Sequence, residues 1–248
     1  MKIVIPARYA SSRLPGKPLA DIAGKPMIEH VWLRAREVAK NDEIIIAADD
    51  DRIVAVAEAF GAKVVKTRVD HESGTDRIAE VALRSGWADD EIVVNLQGDE
   101  PLMPPALVRM AGNALAAHPE AALATASCKI HLNADVSNPN IVKVVTDSQG
   151  MAMYFSRSPV PYDRSGDIDV ARFNYQRHLG LYAYRVGTLK VLTALPVAPT
   201  EQLEQLEQLR ALEAGMKIFV EEIAEAPPHG VDTPADLDAV RNTLGHGV

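Results

Sequence analysis

The chain has one cysteine, Cys128, in 248 residues, so no disulfide framework can form within it. No nucleophile motif surrounds that thiol, so it reads as a poor nucleophile candidate. No apolar run approaches the roughly 18–20 residues of a membrane-spanning helix. The opening run Ile3–Ala7 meets Arg8 after about five apolar positions, too short for the core of a secretory signal. Other signatures are missing too: a Walker A loop, G-x-G-x-x-G, H-E-x-x-H, Cys/His metal spacing and the G-x-S-x-G elbow. A formal net charge of -8 argues against general nucleic-acid binding, which needs a basic surface. What is left is a soluble protein of a reducing compartment. At 47% hydrophobic and 24% charged, it can bury a sizeable core without staples.

The charge is uneven. Residues 1–40 hold eight basic and three acidic side chains, which makes this segment positive in an acidic protein. Such a concentration either prepares a site for a small anion or is a set of solvated surface cations.

The hydrophobic pattern alternates between two periods. Apolar runs at 3–6, 43–47, 63–65 and 92–96 read as buried strands. Helical stripes follow each one: Met27 to Val38, Ile53 to Phe60 with Gly61 just past its end, Ile78 to Ala82, and Leu107 to Leu115. Four alternations with short connections predict a largely parallel sheet covered on both faces, with ligands at the carboxyl ends of its strands. The second half is less regular. It reads as strands at 121–128, 141–146, 151–155, 178–184 and 217–222, an irregular arm over 156–172, one helix over 200–214 and a closing helix from Pro234 to Leu244 capped by Thr233. One catalytic domain over 1–248 is expected, with a core of roughly 1–127 and 217–248 and a smaller subregion of roughly 128–216.

Three segments could carry chemistry. The first strand leads into Pro6-Ala7-Arg8-Tyr9-Ala10-Ser11-Ser12-Arg13-Leu14-Pro15-Gly16-Lys17, where cations, small residues and a glycine share one loop. This suits a polyphosphate, or is a solvated turn. Asp99, in Gln97-Gly98-Asp99-Glu100-Pro101 at the end of the fourth strand, can face a hard cation or close its turn. Asp232, in Gly230-Val231-Asp232-Thr233-Pro234, serves the N-terminus of the last helix or completes a two-carboxylate metal site with Asp99. On pattern alone, His178 reads as a core histidine, Glu207 as one of several helix glutamates, and Arg157 as a surface arginine.

Together these segments resemble the 3-deoxy-manno-octulosonate cytidylyltransferase (CMP-Kdo synthetase) family. The opening "IPARYASSRLPGKPLADIAGKPMIEHV" is similar throughout to the family's N-terminal signature. "DHESGTDRIAEV", "VNLQGDEP", "NPNIVKVV", "YFSRSPVPYDR", "RHLGLYAYR", "LEQLRAL" and "GVDTPADL" follow in order, so the likeness covers nearly the whole chain. Departures are small: Tyr162 replaces another aromatic of some relatives, and Ala183 stands where glycine is common.

The resemblance implies a doubly wound, mostly parallel α/β fold of the nucleotide-diphospho-sugar transferase (Rossmann-like) type, with a smaller subregion for sugar binding and dimerisation. It implies the reaction of CTP with Kdo to give CMP-Kdo and pyrophosphate, for lipopolysaccharide synthesis in the cytoplasm. Arg8, Arg13 and Lys17 would hold the CTP phosphates, and Ser73 and Gly74 would lie near the cytosine. Asp99 and Asp232 would hold Mg2+, with Lys17, Asp99 and Asp232 forming the catalytic set. Arg77, Gln97, Arg157, His178, Tyr182 and Glu207 would surround the sugar acid, Arg77 and Arg157 meeting its carboxylate. The implied partners are the two small-molecule substrates and a second copy of the chain, with no nucleic acid and no membrane. An enzyme for another acidic sugar, and a non-catalytic CTP sensor, are the competing readings. Turnover with different sugar acids separates the first, and pyrophosphate release the second.

Overall fold

The structure is a computed structural model that describes residues 1–10, 14–39 and 42–245. A mixed sheet runs through it. Its strands are β1 (Lys2–Ala7), β4 (Glu43–Ala48), β5 (Lys63–Lys66), β6 (Ile92–Asn95), β7 (Leu123–Lys129), β10 (Gln176–Arg185) and β11 (Ile218–Ile223), in the order β11-β7-β10-β6-β1-β4-β5. β1 pairs in parallel with β4 and β6, and β4 with β5. β10 breaks the pattern, lying antiparallel to both β6 and β7. β8 (Lys143–Thr146) and β9 (Ala152–Ser156) form an antiparallel pair attached to the start of β10.

Alternate residues of each buried strand face opposite layers. Ile3, Ile5 and Ile46 pack with α1 (Met27–Val38), α2 (Asp51–Ala59) and α4 (Pro105–Ala117). Val4, Ile45 and Ala47 pack with α3 (Gly74–Arg84), α6 (Val186–Ala194) and α8 (Gln208–Glu213). This is the doubly wound α/β fold that the alternation predicts. Asp50 caps α2 through the Arg52 amide, and Gly61, expected just past the end of this helix, follows it at φ 84°. The 156–172 arm contains no regular element beyond the last residue of β9.

Three features differ from the sequence reading. The connection after β1 is long, not short: residues 8–26 include a 3-10 turn (Lys17–Leu19) and a small ribbon of β2 (Asp21–Ile22) and β3 (Lys25–Pro26). Two helices, α5 (Asn133–Ser137) and α6, were not expected. The single helix expected over 200–214 is two: α7 (Pro199–Glu204) stops where Gln205 adopts a left-handed conformation (φ 53°, ψ 48°), and α8 starts after Glu207. The leucine spacing is the same for one helix or two, so periodicity does not show the break.

The last helix, α9 (Pro234–Gly245), packs on the ribbon through a separate apolar cluster of Ile22, Met27, Val231, Leu237 and Val240. Arg241 also donates to the Asp21 carbonyl at 2.9 Å. This docking brings the segment before α9 back to the loop after β1. The chain leaves β6 through Gly98, where a Cβ would lie 2.6 Å from the Pro6 carbonyl oxygen of β1. Backbone that close cannot yield as a flexible side chain would. Gly98→Ala is therefore expected to cost about 1–3 kcal/mol as overpacking. At about 2–4 °C per kcal/mol for a chain of this size, thermal unfolding will register it. An unchanged Tm would mean that the two strand ends separate freely.

Candidate active site

Because β1, β4 and β6 are parallel, their carboxyl ends open on the same edge of the sheet. A cleft of about 290 Å³ lies there. Its walls include Arg8, Lys17, Ser73, Gly74, Arg77, Gln97, Asp99 and Asp232. Eight of the residues expected from sequence therefore meet in one place, although they come from four separate segments. Arg13 lies outside the described residues.

At the centre is an ammonium group between carboxylates. Lys17 Nζ donates to Asp99 Oδ2 at 2.7 Å and to the Val231 carbonyl at 2.8 Å, and reaches Asp232 Oδ1 at 3.4 Å. Gly16, at φ 70°, turns the chain to begin the 3-10 turn that carries Lys17. The Val231 amide donates to the Asp99 carbonyl at 2.8 Å, tying the two acidic segments together. The alternative roles of these aspartates go to other groups. The turn after β6 is closed by the Glu100 amide on the Gln97 carbonyl. At the start of α9, Asp236 Oδ2 accepts from the Asp232 and Thr233 amides, and Thr233 Oγ1 in turn accepts from the Asp236 amide. That leaves the Asp99 and Asp232 carboxylates directed toward Lys17.

The neighbouring groups are set by burial. Arg77 is 3% exposed and pairs with Asp49 Oδ2 at 3.2 Å, while also donating to Thr67 Oγ1 and the Arg68 carbonyl. Asp49 Oδ1 accepts from the Tyr9 amide at 3.0 Å, so the same ion pair anchors the basic loop. Ser73 caps α3 in a reciprocal box with Asp76. Glu100, behind Asp99, has its pKa pushed up to about 8 by burial and then by the charges of Asp99 and Asp232. It is therefore mostly protonated near neutrality and adds little negative charge to the pair.

A smaller pocket of about 90 Å³ shares Gly74 and Gln97 with the cleft; Leu123 and Leu192 line it together with the polar groups of Asn95, Tyr182, Tyr184, Glu207 and Gln208. Glu207 Oε2 accepts from Thr75 Oγ1 at 2.9 Å, and burial raises its pKa. Tyr182 OH lies 3.0 Å from His178 Nε2, which is 3.1 Å from Thr125 Oγ1. Burial, and secondarily Arg177, pushes His178 down to about 3, so the ring is neutral at physiological pH. His178 thus backs the pocket through Tyr182. Arg157 lies outside both cavities, with its guanidinium on three backbone carbonyls.

Sequence reasoning missed Asp49, Thr75, Asn95, Glu100, Tyr184 and Gln208. Two carried a signal. Asn95 is the polar end of an otherwise apolar strand, and Tyr184 shares a strand face with Tyr182, their rings stacked at 5.7 Å.

The donor set fits a hard divalent cation. Asp99 and Asp232 offer carboxylate oxygens and already hold a cationic group, the Lys17 ammonium. Among the described residues no group of three or more His, Cys, Asp or Glu is arranged to hold a metal. A cation at this pair would therefore complete its shell with water and phosphate oxygens, the usual habit of Mg2+.

A basic loop and a carboxylate pair facing each other at the carboxyl edge of a doubly wound sheet define a nucleotide-handling α/β protein. Comparison with known proteins narrows the class. A cytidylyltransferase family model matches residues 2–218. The 3-deoxy-manno-octulosonate cytidylyltransferase of Thioalkalivibrio sulfidiphilus is 51% identical over 98% of both chains. That of Hahella chejuensis is 54% identical, over 98% of this chain and 96% of its own. A structure of CMP:2-keto-3-deoxy-manno-octonic acid synthetase complexed with CTP superposes with a TM-score of 0.91 at 46% identity, covering 100% and 99% of the two chains. A cytidylyltransferase from Leptospira borgpetersenii, at 14% identity and a TM-score of 0.63, shares the fold. The chain belongs to the 3-deoxy-manno-octulosonate cytidylyltransferase family.

The Lys17 contact yields a direct test of the donor set. Lys17→Met removes the competing ammonium and leaves two carboxylates close together. The nucleotide-free variant is expected to bind Mn2+ roughly tenfold more tightly than the parent, measured by electron paramagnetic resonance. Equal or weaker binding would show that the pair is not a cation site.

Proposed function

We propose that this protein transfers the cytidylyl group of CTP to 3-deoxy-manno-octulosonate, forming CMP-Kdo and releasing pyrophosphate. The observation that carries this reading is the Lys17 ammonium held between Asp99 and Asp232, in a cleft that shares Gly74 and Gln97 with a second, smaller pocket. Family membership supplies the substrates, and the site supplies the division of labour.

Arg8, Arg13 and Lys17 receive the triphosphate, with Lys17 leaving the carboxylates for the phosphates as nucleotide enters. Ser73 and Gly74, at the capped start of α3, offer backbone groups that can read the cytosine edge. Gln97, at the junction of the two cavities, and Tyr182 and Glu207 in the pocket hold the sugar hydroxyls, with His178 behind Tyr182. Of the two arginines expected at the sugar carboxylate, Arg77 lines the cleft.

The anomeric hydroxyl oxygen attacks the α-phosphorus in line. The bond to the bridging oxygen of the β-phosphate breaks, and the hydroxyl proton is lost to solvent. Such a reaction asks the protein chiefly to position two anions and to offset their repulsion. Mg2+ held by Asp99 and Asp232 would neutralise phosphate charge and polarise the α-phosphate. The cytoplasmic location and homodimeric assembly implied by the family resemblance belong to the same proposal.

The test is pyrophosphate release with CTP, the sugar acid and Mg2+, each omitted in turn. Release is expected only with all three present. Asp99→Asn should keep the fold and lose activity by about two to three orders of magnitude. Glu207→Gln should raise the sugar KM by roughly tenfold, the scale of one hydrogen bond to a charged group, with CTP KM unchanged. Near-normal turnover of Asp99→Asn would remove the metal assignment. Release with another sugar acid alone would redirect the substrate.

A further inference from the structure

Glu207 follows the bend between α7 and α8, and Arg157 bonds to the backbone of that bend. Gln205 is a non-glycine residue in the left-handed region, a conformation that persists only when its surroundings impose it. Reversal of the chain there takes the Glu204 and Gln205 carbonyls out of regular helical bonding. Arg157 supplies donors to both, Nε to Glu204 O at 2.6 Å and Nη2 to Gln205 O at 3.4 Å, while Nη1 donates to Pro139 O at 2.9 Å. The Glu204 side chain is held from the same place, by Ser156 Oγ at 2.6 Å and the Arg157 amide at 2.8 Å.

Arg157 is itself fixed from below. Lys143 is fully buried and directs its three protons at the carbonyls of Asn138, Ile141 and Arg157, at 2.9, 2.5 and 2.5 Å. On the far side of the bend, Arg210 grips Glu201 with two bonds of 2.8 and 2.7 Å. The first side chain after the bend to reach the smaller pocket is Glu207, on Thr75.

We propose that Arg157 is a positioning residue for the sugar-acid pocket: clamped on the Glu204 and Gln205 carbonyls, it maintains the bend that delivers Glu207, and it does not touch the substrate. The inference rests on the assignment of that pocket to the sugar acid, which stands or falls separately on Glu207→Gln.

The test compares Arg157→Gln and Arg157→Lys in the full chain. Amide hydrogen exchange over residues 203–208 is followed without substrates, and KM is measured for each substrate. In Arg157→Gln, exchange there should quicken by roughly tenfold and sugar KM should rise by a similar factor, with CTP KM within about twofold of the parent. Arg157→Lys keeps the charge without the fork, so it should fall between the two. A raised sugar KM with unchanged exchange would mean that Arg157 meets the substrate directly, which overturns the proposal. Faster exchange with an unchanged sugar KM overturns it equally. If Arg157→Gln does not fold, Arg157→Lys decides by the same two readings.

Discussion

The site depends on one electrostatic contact, the Lys17 ammonium between Asp99 and Asp232. Two carboxylates this close repel each other, and a cation between them makes the arrangement tolerable. The contact joins three segments far apart in sequence: the loop after β1, the turn after β6 and the approach to α9. It also gives the cleft a definite electrostatic state before any ligand arrives. A polyphosphate offers Lys17 a better partner, and a divalent cation offers the carboxylates one. On the proposed roles the two exchanges would reinforce each other, and nucleotide and metal would fill the site together.

The fold positions this contact by ordinary means. Parallel pairing puts the ends of β1, β4 and β6 on one edge, Gly98 lets the β6 exit come within backbone contact of β1, and α9 docks on the ribbon beside the basic loop. The buried Asp49–Arg77 pair serves a second purpose, holding the loop through the Tyr9 amide. Burial lowers the pKa of Arg77, but a guanidinium is so strong a base that it remains charged.

Much of this was legible in the sequence because period and position carry it. Apolar runs alternating with helical stripes fix the doubly wound sheet, and residues just beyond strand ends in such a sheet face the ligand side. Arg8 and Asp99 were readable for that reason, whereas Gln97 came only with the family resemblance. Asp232 was ambiguous on pattern, because an acid before a helix commonly serves its N-terminus; Asp236 turned out to do that work. The break at Gln205 was not readable. Nothing in "EQLEQLEQL" marks a left-handed residue, since the constraint comes from Arg157, some 48 residues earlier in the chain. The same long-range bonding explains why Arg157 reads on pattern as a surface arginine. Its partners are backbone carbonyls, which no motif records. The antiparallel course of β10 was equally hidden, because strand direction depends on how the chain returns and not on its local pattern.

The most direct test is a crystal structure of this protein with CTP and Mg2+ bound. The account expects Lys17 Nζ to have left Asp99 Oδ2, now 2.7 Å away, for the phosphate oxygens, with both carboxylates turned to the cation. Lys17 still seated between Asp99 and Asp232 beside bound nucleotide, with the cation elsewhere, would contradict it.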